Sequence, residues 1–181
     1  MEVKKVDLPL DDEKIKDLKA GDNVLLSGVI LTARDAAHKR LYELMINNKE
    51  LPVDIKNQVI YYVGPSDTPP GKVIGSAGPT SSYRMDKYTP KFLKSGLKGM
   101  IGKGDRSKEV KQSIISNGAV YFMAIGGAGA LLAKSIIKQE IVCYEDLQTE
   151  AVRKYVVKDF PVVVAIDCYG NNIYEIEENE L

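Results

Sequence analysis

The chain has 181 residues, 44% hydrophobic and 28% charged, which is the composition of an ordinary globular domain with enough apolar material for a sizeable core. Lys and Arg number 25 and so do Asp and Glu, so no net field favours nucleic acid or an acidic membrane surface. The opening Met1-Glu2-Val3-Lys4-Lys5 lacks the apolar core of a secretory signal, and no uncharged stretch reads as a membrane span. Cys143 and Cys168 have no paired-ligand spacing, so they are expected to pack as small hydrophobes rather than form a disulfide framework or a zinc site. The expectation is one cytoplasmic domain spanning 1–181.

Residues 10–19 read as a short polar helix, and Gly21-Asp22 turns into an apolar strand over 24–31. Ala37, Leu41, Leu44 and Met45 then fall on one face of a 3.6-residue period. Thr32 and Asp35 resemble a capping box, which starts that helix near Ala33. Strands are predicted over 59–63 and 73–77, with Thr89-Pro90 opening a further helix. A short strand over 99–101 leads through a glycine loop to a helix ending at Asn117-Gly118. A strand over 119–125, a turn at Gly126-Gly127 and a helix over 128–138 follow. Two more strands, 152–158 and 162–167, precede a turn over 169–172. The class is α/β with a mixed sheet.

Four strand-to-helix turns carry candidate chemistry, because a helix N-terminus offers free N–H groups and a positive dipole end to anions. The first is Thr32-Ala33-Arg34-Asp35-Ala36-Ala37-His38. A cation in the first turn, Arg34, opposes the dipole, and a bound anion would supply a reason for it. Arg34 and His38 share a helix face. The second turn, Gly78-Pro79-Thr80-Ser81-Ser82-Tyr83-Arg84, carries three hydroxyls and an arginine. The third, Gly102-Lys103-Gly104-Asp105, sets a lysine between residues without side chains. The fourth, Gly126-Gly127-Ala128-Gly129, has no charge. If their strands are parallel neighbours, Arg34, Arg84, Lys103 and Thr80 converge on one crevice suited to a small di-anion.

Plain readings stand beside these. Arg34 also fits a surface pair with Asp35, Thr80 and Ser81 fit N-caps, Lys103 fits a turn lysine, and His38 fits a satisfied interior residue. Neither the P-loop nor the dinucleotide fingerprint is present, which demotes nucleotide binding.

Taken together the turns resemble the β subunits of class I fumarases and tartrate dehydratases. The resemblance rests on Thr32-Ala33-Arg34-Asp35-Ala36-Ala37-His38-Lys39-Arg40-Leu41 and on Gly75-Ser76-Ala77-Gly78-Pro79-Thr80-Ser81-Ser82-Tyr83-Arg84-Met85-Asp86. Gly102-Lys103-Gly104, Gly126-Gly127-Ala128 and Val157-Lys158-Asp159-Phe160-Pro161 follow in the same order. The resemblance implies a swivelling β/β/α fold and reversible hydration of fumarate to (S)-malate. It also implies a 4Fe–4S cluster held by three cysteines of an α subunit, not by this chain, within an α2β2 heterotetramer. By the same resemblance Arg34, Arg84 and Lys103 bind the substrate's carboxylates and Thr80 is the base. An Asp35–His38 pair would orient Arg34 or relay a proton. Asp105 and Arg106 receive no role. Tartrate or mesaconate as substrate, and a non-catalytic dicarboxylate-binding module, stay open as alternatives.

Overall fold

The computed structural model describes residues 2–124 and 129–179. Strand β2 (Asn23–Thr32) turns Val24, Leu26 and Ile30 to one side, where all three are buried, as the two-residue period of a strand requires. One edge of β2 is shared by two parallel neighbours: β1 (Val3–Asp7) along its first half and β3 (Val59–Tyr61) at its end. From β3 the sheet continues, still parallel, through β4 (Gly99–Gly102) to β5 (Val120–Met123). The long β7 (Val152–Ile166) runs antiparallel to both β5 and β2, so β2, β3, β4, β5 and β7 close into a barrel. Outside it, β6 (Ile136–Cys143) pairs antiparallel with the first half of β7. The expected α/β class with a mixed sheet is what the chain forms.

Closure depends on a bend. In place of two predicted strands over 152–158 and 162–167, the chain makes one strand of 15 residues. Asp159 sits at φ 50° and its N–H donates to Ser27 Oγ (3.0 Å), opposite a register slip between Leu26 and Gly28. Gly28, at φ 129°, lies against Leu8, where a Cβ would come within 2.9 Å. Such a bulge adds twist and lets one strand curve around the barrel, and Pro161 is tolerated at the bend.

The alternation of the strands makes two cores. Leu26, Ile30, Tyr61, Ile101, Phe122, Tyr155 and Phe160 fill the barrel, together with Ile15 of α1 (Asp12–Asp17). The opposite faces present Leu31, Ile60, Met100 and Tyr121 to helices α2 (Asp35–Ile46), α3 (Thr89–Lys94) and α4 (Lys108–Asn117). Each fully buried large side chain contributes about 1.5–3 kcal/mol relative to exposure. Helix α4 has both ends marked: Ser107 Oγ accepts from the Val110 N–H, and Gly118 closes it in the left-handed conformation.

Several expectations need correcting. Residues 73–77 pair with no strand and belong to an irregular strap. Helix α5 (Gly129–Lys134) stops before Ile136, and the stretch that continues its apolar spacing becomes β6. The turn at Gly126-Gly127 lies outside the described residues. Thr89 is the first residue of α3, and Tyr88 before it is the cap. The final turn leads into α6 (Ile173–Asn179).

Candidate active site

Because β2, β3, β4 and β5 are parallel and adjacent, their C-terminal ends open on one lip of the barrel. Arg34 follows β2, Gly64 follows β3, Lys103 follows β4 and Ala124 follows β5. The strap over 75–81 is laid along this lip by backbone bonds. Thr80 N donates to Tyr62 O (2.8 Å), and Ser82 N to Lys103 O (2.9 Å). Pro79 bridges to Val63 and Ser81 to Lys103. Further along, Ala77 N donates to Gly129 O (3.2 Å). The second and third turns are thereby stitched side by side.

Gly102 is required by this seam. A Cβ there would collide with the Ser82 side chain and come within 2.9 Å of the Tyr62 ring.

Thr32 is not the cap of α2. It ends β2, where its hydroxyl accepts from Arg153 N (3.1 Å), so the capping-box reading fails because the hydroxyl is spent across the sheet. Arg34 takes the cap position without a side-chain cap bond, and Asp35 becomes the acidic first residue, in accord with the dipole. The Arg34 side chain lies over Gly64, where an added Cβ would approach its Cδ to 2.9 Å. Its Nε is buried with no partner among the described residues. Arg84, on the 3-10 turn Ser82–Met85, forms an ion pair with Asp35 Oδ2. The other Asp35 oxygen, Oδ1, is buried and without a partner among the described residues.

His38 is enclosed by aromatic rings: Phe92 at 4.8 Å, Tyr62 at 5.4 Å and Tyr88 at 6.1 Å between centroids. Its Nδ1 lies 2.8 Å from Arg34 O. Burial pushes its pKa down to about 4, with the Arg106 charge acting in the same direction against the pull of the Arg34 carbonyl. The ring is therefore neutral at pH 7, and its Nδ1–H donates to the carbonyl. In this arrangement His38 fastens the backbone of Arg34, while the Asp35 carboxylate is turned to Arg84. No Asp35–His38 hydrogen bond forms among the described residues.

Thr80 is half-buried with its hydroxyl free of partners among the described residues, and Lys103 is exposed beside it. Clefts of about 870, 490 and 570 Å³ exist, and each is lined by other residues.

Beneath the lip lies a residue to which sequence reasoning gives no role. The Arg106 guanidinium is fully buried and ion-paired with Asp86 at 2.6 Å. The one hint in the sequence is that Asp86 ends a quoted motif and Arg106, of opposite charge, comes just after another. Periodicity gives no way to see that they meet. As for a metal centre, no group of three His, Cys, Asp or Glu stands together among the described residues. Cys143 ends β6 and Cys168 rests against Ile15 O, so the donors present do not fit an iron–sulfur cluster.

A family model described as "Fumarase C-terminus" matches residues 1–177. The chain belongs to that family. Over 177 residues it is 41% identical to fumarate hydratase 2 of Leishmania major, covering 94% of this chain and 31% of that protein. To the anaerobic class I fumarate hydratase of Escherichia coli it is 43% identical, over 83% of this chain and 28% of that one. A relative of similar length is the putative L(+)-tartrate dehydratase subunit beta of Methanocaldococcus jannaschii, 39% identical over 92% of this chain and 88% of that protein. The chain thus spans about three-tenths of the length of the fumarate hydratases it matches. These relatives are thus named as fumarate hydratases and as a putative tartrate dehydratase subunit.

Proposed function

We propose that residues 1–181 act as one unit, the β subunit of a cytoplasmic two-subunit hydro-lyase that interconverts fumarate and (S)-malate. The observation that carries this reading is the seam at the lip, which sets Thr80 and Lys103 side by side, within the same row of strand ends that holds Arg34 and Arg84. Two cations without an ion pair among the described residues and a third held by an acid suit a substrate with two carboxylates.

Dehydration of malate removes a proton from carbon next to a carboxylate and expels the neighbouring hydroxyl. Negative charge then builds on that carboxylate's oxygens, so guanidinium and ammonium groups placed there bind the transition state more strongly than the ground state. Arg34 and Arg84 take the carboxylates, Lys103 adds a point charge, and the Thr80 oxygen, once ionised, takes the proton from carbon. Nearby cations favour its ionised form. The Asp35 carboxylate holds Arg84 until a substrate carboxylate takes its place.

The 4Fe–4S cluster that the family resemblance implies would be supplied by an α subunit and would act as a Lewis acid on the substrate's hydroxyl. In this reading the site is completed by that second chain, in an α2β2 assembly. Among the described residues no helix is long and apolar enough to cross a membrane.

Tartrate stands beside fumarate as a substrate because the relative of matching length is named a tartrate dehydratase subunit. Anaerobic co-expression with a candidate α subunit, followed by assays with fumarate, tartrate and mesaconate, separates these. Turnover of fumarate by the complex supports the proposal. Malate binding by the chain alone, with no cysteine-rich partner co-purifying and no turnover, would favour a dicarboxylate-binding module instead.

A further inference from the structure

We propose that Arg106 is the positioning residue of the lip, holding Thr80, Arg84 and Lys103 in one register without touching the substrate. The proposal rests on the hydro-lyase reading above and deepens it.

The Arg106 guanidinium makes four contacts, to residues that follow β3, lie on β4 and flank the start of α3. Its Nε donates to Asp86 Oδ1 at 2.6 Å. One terminal nitrogen donates to Thr89 Oγ1 at 2.8 Å and to Tyr62 Oη at 3.2 Å, and the other meets Met100 Sδ at 3.6 Å. The planar group sits between two rings, 5.2 Å from the centroid of Tyr62 and 4.8 Å from that of Tyr121.

These partners lead directly to the lip. Tyr62 O receives the Thr80 N–H, which places the hydroxyl. Asp86 follows the 3-10 turn that carries Arg84, and its second oxygen accepts from Ser107 N at 2.8 Å, tying that turn to the start of α4. Thr89 passes the bond on to Met85 O at 2.8 Å. The Tyr121 hydroxyl bonds Ser82 Oγ and Gly104 O, both at 2.7 Å, and so clasps the strap to the loop after Lys103. One buried cation therefore joins the segments that carry Thr80, Arg84 and Lys103.

The arrangement is more elaborate than stability needs. A buried ion pair replaced by apolar groups often costs a protein nothing. Only a planar fork with several fixed donors can reach Asp86, Thr89 and Tyr62 at once, and a lysine ammonium cannot.

The test uses Arg106→Lys, with Tyr62→Phe and Thr89→Val as milder variants that preserve shape, the first deleting the Arg106–Tyr62 bond and the second the Arg106–Thr89 and Thr89–Met85 bonds. Two measurements are made: steady-state fumarate kinetics of the α-complexed enzyme, and amide hydrogen exchange of the full chain. A merely structural loss lowers the folded fraction, which scales kcat and leaves KM unchanged. The positioning role predicts that KM rises at least about tenfold, a 1.4 kcal/mol effect, in Arg106→Lys and less in the milder pair. It also predicts exchange about tenfold faster or more at the Thr80 and Ser82 amides, with the β1 and β2 amides unchanged. Wild-type protection at Thr80 and Ser82 overturns the proposal whatever the kinetics. So does an unchanged KM in a complex whose wild type turns over. A wild-type complex with no turnover would sink the hydro-lyase reading alone, leaving the amides to decide the role of Arg106. If Arg106→Lys does not fold, the two milder variants carry the same test.

Discussion

Arg84 and Asp35, 49 positions apart in sequence, form an ion pair that joins the 3-10 turn of the strap to the first residue of α2. The pair is partly exposed, at 42% and 33% for the two side chains, so its contribution to stability is small, below about 1 kcal/mol. Its weight in function is expected to be larger. Arg84→Ala in the assembled enzyme is predicted to lower kcat/KM by about 30- to 5,000-fold, or roughly 2–5 kcal/mol of transition-state binding. Unfolding of the chain should shift by less than about 1 kcal/mol. Wild-type kcat/KM in Arg84→Ala, with the same result in Arg34→Ala, would remove both arginines from the site.

His38 makes stability depend on pH in a defined window. Its pKa is about 4 folded against an ordinary 6.5 unfolded, so between those values the unfolded chain binds the extra proton. The His38 contribution is complete above pH 6.5, falls as pH drops, and is gone below about 4. The span is on the order of 3 kcal/mol. Denaturant unfolding between pH 7 and 4 should show this slope in the wild type and lose it in His38→Gln. A steep kinetic titration near pH 6.5 that vanishes in the same variant would instead make His38 a proton carrier.

What the sequence discloses about this fold is uneven, for physical reasons. The strand-to-helix turns are legible because glycines and caps act locally, and the parallel run β2 to β5 follows from them. The single strand β7 is not legible, because Pro161 and Asp159 look like breakers, and only closure of the barrel turns them into a bend. Residues 136–138 continue the apolar spacing of α5, yet they pair with β7, a partner that no local pattern reveals. At the site, the residue types of Arg34, Thr80, Arg84 and Lys103 stand out in the motifs. The Asp35–Arg84 pair and the Asp86–Arg106 pair are contacts across the fold, and sequence spacing carries no trace of them.

Gly64 and Gly102 separate lip geometry from stability. The three atoms nearest a Cβ at Gly64 all belong to the Arg34 side chain, whereas one at Gly102 meets Ser82 and the ring of Tyr62. Gly64→Ala should change unfolding free energy by less than about 1 kcal/mol while raising the substrate KM about tenfold. Gly102→Ala should cost about 1–3 kcal/mol of stability through overpacking. Denaturant melts and initial-rate assays on both variants check this, and an unchanged KM in Gly64→Ala would contradict the placement of Arg34.

Iron binding tests the division of labour. After anaerobic reconstitution with iron and sulfide, the chain alone should show no charge-transfer absorption, and the complex with an α subunit should. A Cys143→Ser, Cys168→Ser double variant should retain the absorption of the complex. Its loss would place cluster ligands on this chain.

The most direct test is a crystal structure of the α-complexed enzyme with malate bound. The account predicts malate at the barrel lip, its carboxylates within hydrogen-bonding reach of Arg34, Arg84 or Lys103 and its reacting carbons facing the Thr80 hydroxyl. Malate bound elsewhere, with none of those three cations touching it, would contradict the account.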